Sequence, residues 1–373
     1  MPTTDAVVSP RNESLTTDEP AQRGDLSIFL ATPATADPYQ TYVDAFESIE
    51  LAEHLGYSHA WIAEAHFSAK FGIPTALTFL AAVTQRVSRI SLGTAVIPLA
   101  FDLPLRLAEN AALVNVLTRD RLELGVGKGN PRGSTDAYNA FGLNEGDRSQ
   151  IFAKALEALK QVLGERLDLG DHAVSLYPPA ATLLDRIWQA TGDHATANAA
   201  GAAGDGLMLF RTTPAGVAGD VQSVLIDSYL RNFDYSRTGH DNPGPRIGIS
   251  RSLLLADSRA EAVKIAVSHY AHLKENAPGD EFAAFLPENL DPASVEAHLR
   301  KSDVYFGTVE DVVEALSNDN AVSRSTNYLF NTPFYPSGTP QFRESLAVIA
   351  AEVYPRVRRD PDALRVRTEA PGS

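Results

Sequence analysis

The 373-residue sequence contains no cysteine. Disulfides, thiolate metal ligands and a cysteine nucleophile are therefore excluded together. No apolar run approaches the length of a membrane span, so no membrane partner is expected. The Gly-x-Ser-x-Gly elbow of serine hydrolases does not occur. Basic charge is scarce: 32 Lys and Arg stand against 47 Asp and Glu, for a net charge of −15. Such a surface repels phosphodiester backbones, which argues against nucleic acid as a partner. His54, His59 and His66 fit no helix-face or strand spacing of metal ligands, so no metal site is expected. Residues 1–24 hold no basic segment followed by an apolar one, which removes the expectation of a secretory signal. They are polar and rich in Pro, Ser and Thr, and read as a disordered leader to a cytoplasmic protein.

What is present is alternation. Hydrophobic residues make up 44% of the chain, enough for one large domain. Short apolar runs at 26–31, 59–64, 90–99, 121–127, 186–191, 206–210, 246–256 and 327–330 are each followed by a stretch of helical spacing. Strands apolar on both faces that alternate with helices predict a parallel sheet. Eight such units are what a closed barrel requires, so the expected fold is α/β, a single (β/α)8 TIM barrel over 25–360. An open doubly wound sheet is the alternative, but no mid-chain linker divides the sequence. Residues 277–308, rich in Pro and Glu, are too long for a connecting loop and are expected to form a lid insertion. Residues 168–179 suggest a short hairpin, and 361–373 a flexible tail.

In such a barrel the chemistry lies where strands run out into βα loops. These loops read AEAHFSAKFG (63–72), GTAVIPLAFDLP (93–104), GVGKGNPRG (125–133) and TGDHAT (191–196). The third places glycines at every second position around Lys128. It is not the dinucleotide fingerprint, because its third glycine comes one position early and Asn130-Pro131 delays a helix. It reads as backbone that a ligand approaches closely.

The segments WIAEAHF (61–67), SLGTAV (91–96), PLRLAENAALVNVLTRDRLELGVGKG (104–129), AAGDG (202–206) and SLAVIAAEVYPRVR (345–358) carry a resemblance in their order and spacing. From about residue 25 to 358 the chain resembles the bacterial luciferase-like flavin-dependent monooxygenases. The resemblance implies reduced FMN and O2 acting on a small organic substrate, a separate flavin reductase that supplies the FMN, and a homodimer. It implies a flavin phosphate held by Lys128 (where the family usually has arginine), Arg148 and Thr196, with Gly127, Gly129, Asn130, Gly192 and Asp193 around it. The charge of Asp193 would repel that phosphate. Ala95 and Val96 match a non-proline cis peptide beneath the flavin ring. Glu64 and His66 are the catalytic candidates. The family's preceding histidine is Ala65 here, which argues against light emission and leaves the proton-transfer group open. Phe29, Phe67, Phe101 and Arg211 are expected near the pocket, and Tyr270 and Tyr305 in its roof. Two alternatives share the fold: a deazaflavin-dependent dehydrogenase and a non-catalytic flavin-binding homologue.

Overall fold

Along each strand of this chain, alternate side chains point to opposite faces, and here both faces are apolar. The computed structural model describes residues 25–32, 37–68, 72–129, 134–164, 166–210, 218–237, 244–276, 286–302, 304–360 and 362–365. The leader 1–24, Asn130, Arg211 and the start of the expected lid, 277–285, lie outside the described residues.

Eight parallel strands close on themselves: β1 (Asp25–Leu30), β2 (His59–Ile62), β3 (Ser91–Thr94), β4 (Leu122–Gly127), β5 (Ile187–Ala190), β6 (Gly206–Leu209), β7 (Ile247–Leu255) and β8 (Asn327–Asn331). The register of β8 on β1 (Asn327 against Asp25, Phe330 against Ile28) completes the circle. The ring helices are α1 (Pro38–His54), α2 (Ala76–Val83), α3 (Pro104–Thr118), α4 (Arg148–Gly164), α5 (His194–Ala202), α6 (Ala218–Asn232), α7 (Val309–Ser317) and α8 (Pro340–Val348). Outward strand residues such as Ile28, Ile62, Leu92 and Leu124 join helix residues such as Ile49, Leu80, Ala108 and Leu159 in one buried cluster.

The inner face holds both tryptophans of the chain. Trp61 and Trp188 meet edge to face with centroids 5.4 Å apart and rings at 80°. Neighbouring strands make room for them: a Cβ on Gly93 would lie 2.2 Å from the Trp61 ring, and one on Gly206 2.4 Å from the Trp188 ring. Below them, Ser27 donates to Asn327 Oδ1 at 2.5 Å, which turns the Asn327 amide nitrogen toward His59 Nδ1 at 3.3 Å. His59 also stacks on Trp61 at 5.8 Å. Burial pushes its pKa down to about 4, and a donor aimed at Nδ1 suits the neutral ring. An unfolded histidine takes up its proton near pH 6.5. Stability is therefore expected to fall as pH drops from about 6.5 toward 4, because the unfolded chain binds the proton first. A His59→Gln variant, compared with the native chain by urea unfolding at pH 7 and pH 5, should lose less stability between the two.

The structure departs from the sequence reading at four places. The third apolar run, 90–99, is not one strand: it breaks after Thr94, and Ile97–Pro98 resumes against β4. The helix Arg259–Asn276, read as a ring helix, belongs instead to the insertion. Its Ala262, Val263 and Ala266 join Val295, Leu299 and Phe306 in a second cluster, whereas Val312 and Leu316 of α7 belong to the main core. The later part of the expected lid forms helix Pro292–Lys301 and a further strand, Val304–Gly307, paired parallel to the far end of β7. Finally, the chain is held beyond residue 360. The wholly buried Arg324 donates to the carbonyls of Ala363 (3.2 Å) and Arg365 (3.1 Å). The hairpin expected at 168–179 forms between Leu167–Asp168 and Ala173–Val174. No helix among the described residues is long and apolar enough to cross a membrane.

Candidate active site

The barrel mouth is built unevenly. On its β2–β5 side the last inward positions are Ala63, Ala95, Gly127 and Ala190, all small. Across from them stand Phe29 and Phe210, 5.4 Å apart, above Met208 and Leu329. The peptide bond between Ala95 and Val96 is cis, at the break between β3 and Ile97–Pro98. The result is a smooth wall of backbone facing an aromatic one, which suits a flat ring system.

At the edge of the smooth wall, loops far apart in sequence converge. Lys128 follows β4, and its ammonium donates to Asp193 Oδ2 at 2.6 Å and Thr196 Oγ1 at 3.1 Å. Asp193 is the N-cap of α5: its Oδ1 accepts the Thr196 amide at 2.8 Å. Thr191 donates to the same carboxylate at 3.1 Å. Burial alone would raise the Asp193 pKa, but the Lys128 ammonium and the Thr196 amide hold it at about 2. Gly129 turns the chain with φ +81, a left-handed conformation in which a side chain would be strained. Gly192 lies in the chain between Thr191 and Asp193 of this group, and Asn130 lies outside the described residues.

Arg148 opens α4 one layer away. It pairs with Glu145 and lies 5.1 Å over the Tyr138 ring, while the Tyr138 hydroxyl donates to the Lys128 carbonyl at 3.1 Å. Its Nε is buried without a partner, a donor left available in an enclosed place. Tyr138 lies on a short helix, Thr135–Ala140, inside the loop after β4. The sequence reading took that loop as backbone approached by a ligand and singled out neither Tyr138 nor Phe141. Their spacing of three in DAYNAFG was the available signal.

Glu64 and His66 leave β2 together, but their surroundings divide their roles. Glu64 Oε2 accepts the Ala76 amide at 2.7 Å, and so caps α2, whose Thr75 makes no side-chain cap. Burial pushes the Glu64 pKa up, with His66 and the Ala76 amide opposing. His66 Nε2 lies 3.4 Å from Glu64 Oε1, and the imidazole is edge-on to Phe101 (5.0 Å) and Phe141 (5.4 Å). Asp102, which the sequence reading did not single out, interacts electrostatically with both His66 and Glu64. Burial raises its pKa and His66 opposes. The arrangement places an imidazole against one carboxyl group whose charged form burial disfavours, with a second, Asp102, coupled to both, a grouping of the kind used for proton transfer. Phe67, exposed and with φ +52, extends this aromatic group toward solvent, 5.9 Å from Phe141.

Two residues expected in the roof are placed elsewhere. The Tyr305 hydroxyl donates to Asp319 in a buried ionic group behind β7. Tyr270 packs on Phe334 and His298 in the second cluster. Among the described residues no three His, Asp or Glu side chains gather as metal ligands.

Residues 25–321 match the model of one family, described as luciferase-like monooxygenase. The chain belongs to that family. Limonene 1,2-monooxygenase of Rhodococcus erythropolis is 28% identical over 144 residues, 38% of this chain and 36% of that one. Across the curated relatives the match spans from 26% to 63% of their length. Among solved structures, the oxygenating constituent of 3,6-diketocamphane monooxygenase from Pseudomonas putida, in complex with FMN, superposes with a TM-score of 0.68 at 14% identity, covering 91% of this chain and all of that one. The coenzyme F420-dependent tetrahydromethanopterin reductase of Methanopyrus kandleri superposes with a TM-score of 0.65 at 13% identity, covering 90% of this chain and 100% of that one. At such identities these superpositions establish the fold alone.

Proposed function

We propose that this member of the luciferase-like monooxygenases is a flavin-dependent oxygenase that uses reduced FMN and O2 on a small organic substrate, with the FMN reduced by a separate flavin reductase. The observation that carries the reading is the meeting of Lys128 and Thr196, 3.1 Å apart, at the edge of the wall formed by Ala95, Gly127 and Ala190. That combination offers a flat surface for a ring and donors for its tail. The Ala95–Val96 backbone and Gly127 would carry the ring; Lys128, Thr196 and Arg148, with its spare Nε, would face the tail. When bound, a reduced flavin supplies the electrons that activate oxygen. The chain's own part is to orient the substrate between the ring and Phe29 and Phe210, to exclude water, and to hold a proton at His66. Glu64 positions His66 and anchors α2.

A monooxygenase is favoured over a deazaflavin-dependent dehydrogenase by two sequence relatives, limonene 1,2-monooxygenase and 4-hydroxyprotoasukamycin monooxygenase. A homodimer is supported by α3, whose Leu105, Leu113 and Val116 stand exposed on one outward face. The cytoplasm remains the expected location.

Titration of the pure protein with FMN, and with anaerobically reduced FMN, tests the reading. Binding is expected, and the Lys128→Ala, Arg148→Ala double variant should bind FMN at least about tenfold more weakly, since Asp193 and Glu145 then face the tail unopposed. Absence of binding by either form at high micromolar concentration would end the proposal. Tight binding of deazaflavin with none of FMN would select the dehydrogenase instead.

A further inference from the structure

The cations that face the expected flavin tail already have anions of their own. Lys128 is 2.6 Å from Asp193, and Arg148 is paired with Glu145. The first pair is more than a neighbouring contact. The Asp193 carboxylate receives the Lys128 ammonium, the Thr196 amide and the Thr191 and Thr196 hydroxyls. An ammonium, a helix N-terminal amide and adjacent hydroxyls are the donors that a phosphate at this position would use. Asp193 therefore acts as the anion in its own cradle.

We infer that, among the described residues, this site is electrically complete without a phosphate, and so accepts flavins with little regard to whether the tail ends in phosphate or in a free hydroxyl. The ligand class is the isoalloxazine–ribityl unit, riboflavin and FMN alike. This rests on the flavin reading above and deepens it.

Two observations support the inference. The Asp193 carboxylate is held in its ionised form at neutral pH, because Lys128 and the Thr196 amide outweigh the effect of burial. A dianion arriving here must displace or face a fixed negative charge. The Asp193 side chain is also 45% exposed, so the competition occurs at the rim, where a tail would lie, and not deep in the barrel. The net gain from a phosphate is thus a difference between two similar ion pairs, which is small, whereas the ring's gain from the smooth wall is unaffected.

The experiment is equilibrium binding, read by flavin fluorescence, of FMN and riboflavin to the native protein and to Asp193→Asn. Asparagine is as good an N-cap as aspartate, so α5 keeps its start. The native protein should bind the two flavins with affinities within about tenfold of each other, and with little dependence on salt. In Asp193→Asn, FMN should tighten by about tenfold or more while riboflavin is unchanged, because one competing charge is gone. If the native protein prefers FMN by much more than tenfold, or if Asp193→Asn leaves FMN unchanged or weaker, the inference is wrong although the flavin reading stands. If neither flavin binds, both fall. Should the variant be unstable, the salt dependence of FMN binding to the native protein decides: strong weakening by salt would overturn the inference.

Discussion

Replacing Asp319 with asparagine should lower the unfolding free energy by about 3–5 kcal/mol, a large share of a typical domain's stability. Asp319 precedes the Val322–Arg324 turn, and its Oδ2 takes the Arg251 Nε at 2.8 Å. Arg251 has no exposed surface. It also donates to Gln222 Oε1 and the Ser250 carbonyl, both at 2.8 Å, and bonds Tyr305, all uncharged partners. Asp319 Oδ1 in turn accepts the amides of Ala321 (2.8 Å) and Val322 (3.0 Å). Asparagine could retain those two bonds but would leave a guanidinium buried without a counter-charge. Burial by itself would raise the Asp319 pKa, but Arg251 more than offsets it and holds the carboxyl low. The pair therefore contributes at neutral pH and weakens only in acid below the ordinary carboxylate range. Urea unfolding of the two proteins at pH 7 reads the difference directly; a change under about 1 kcal/mol would mean that the pair is dispensable.

The second large effect is expected at Gly125. A Cβ there would lie 1.9 Å from the Thr94 carbonyl oxygen. That oxygen is backbone, at the end of β3, and has no rotamer by which to withdraw. Overpacking a core costs roughly 1–3 kcal/mol where side chains can shift, and more where they cannot. Gly125→Ala should therefore exceed that range, and should also disturb the Ala95 and Gly127 wall. Gly248→Ala is the comparison: its Cβ would stand 3.2 Å from the tip of the Leu329 side chain, which can give way. Thermal unfolding should separate the two variants clearly. Equal loss in both would mean that β3 and β4 can part to admit a methyl group.

The barrel was legible in the sequence because its strands are apolar on both faces and its helices are amphipathic. Each of the eight runs therefore stood out against its neighbours. The strand Val304–Gly307 was not, since four residues, VYFG, offer no periodicity within a segment dominated by Pro and Glu. The place of helix Arg259–Asn276 was hidden for another reason: helical spacing identifies an element but not the core it joins. At the site, Lys128, Arg148 and Thr196 could be chosen by residue type and loop position. What sequence could not supply was distance. Asp193 was recognisable as an unfavourable charge near a phosphate, but its capture of Lys128 and the α5 amide depends on an approach of 2.6 Å between loops 65 residues apart. Asp102, Tyr138 and Phe141 gain their relevance only from contact with His66 and Lys128, which the chain's order does not encode locally.

β7 divides its length between two tasks. Residues 247–249 pair with β6 and 248–252 with β8, closing the ring, while 253–255 pair only with the inserted strand. The insertion buries its own apolar layer against that overhang and Phe334, and contributes no link to the circle. Such a module can be lengthened, trimmed or exchanged without reopening the cylinder beneath it. Closure of the barrel is thus independent of this segment, although the segment is built on one of the barrel's own strands.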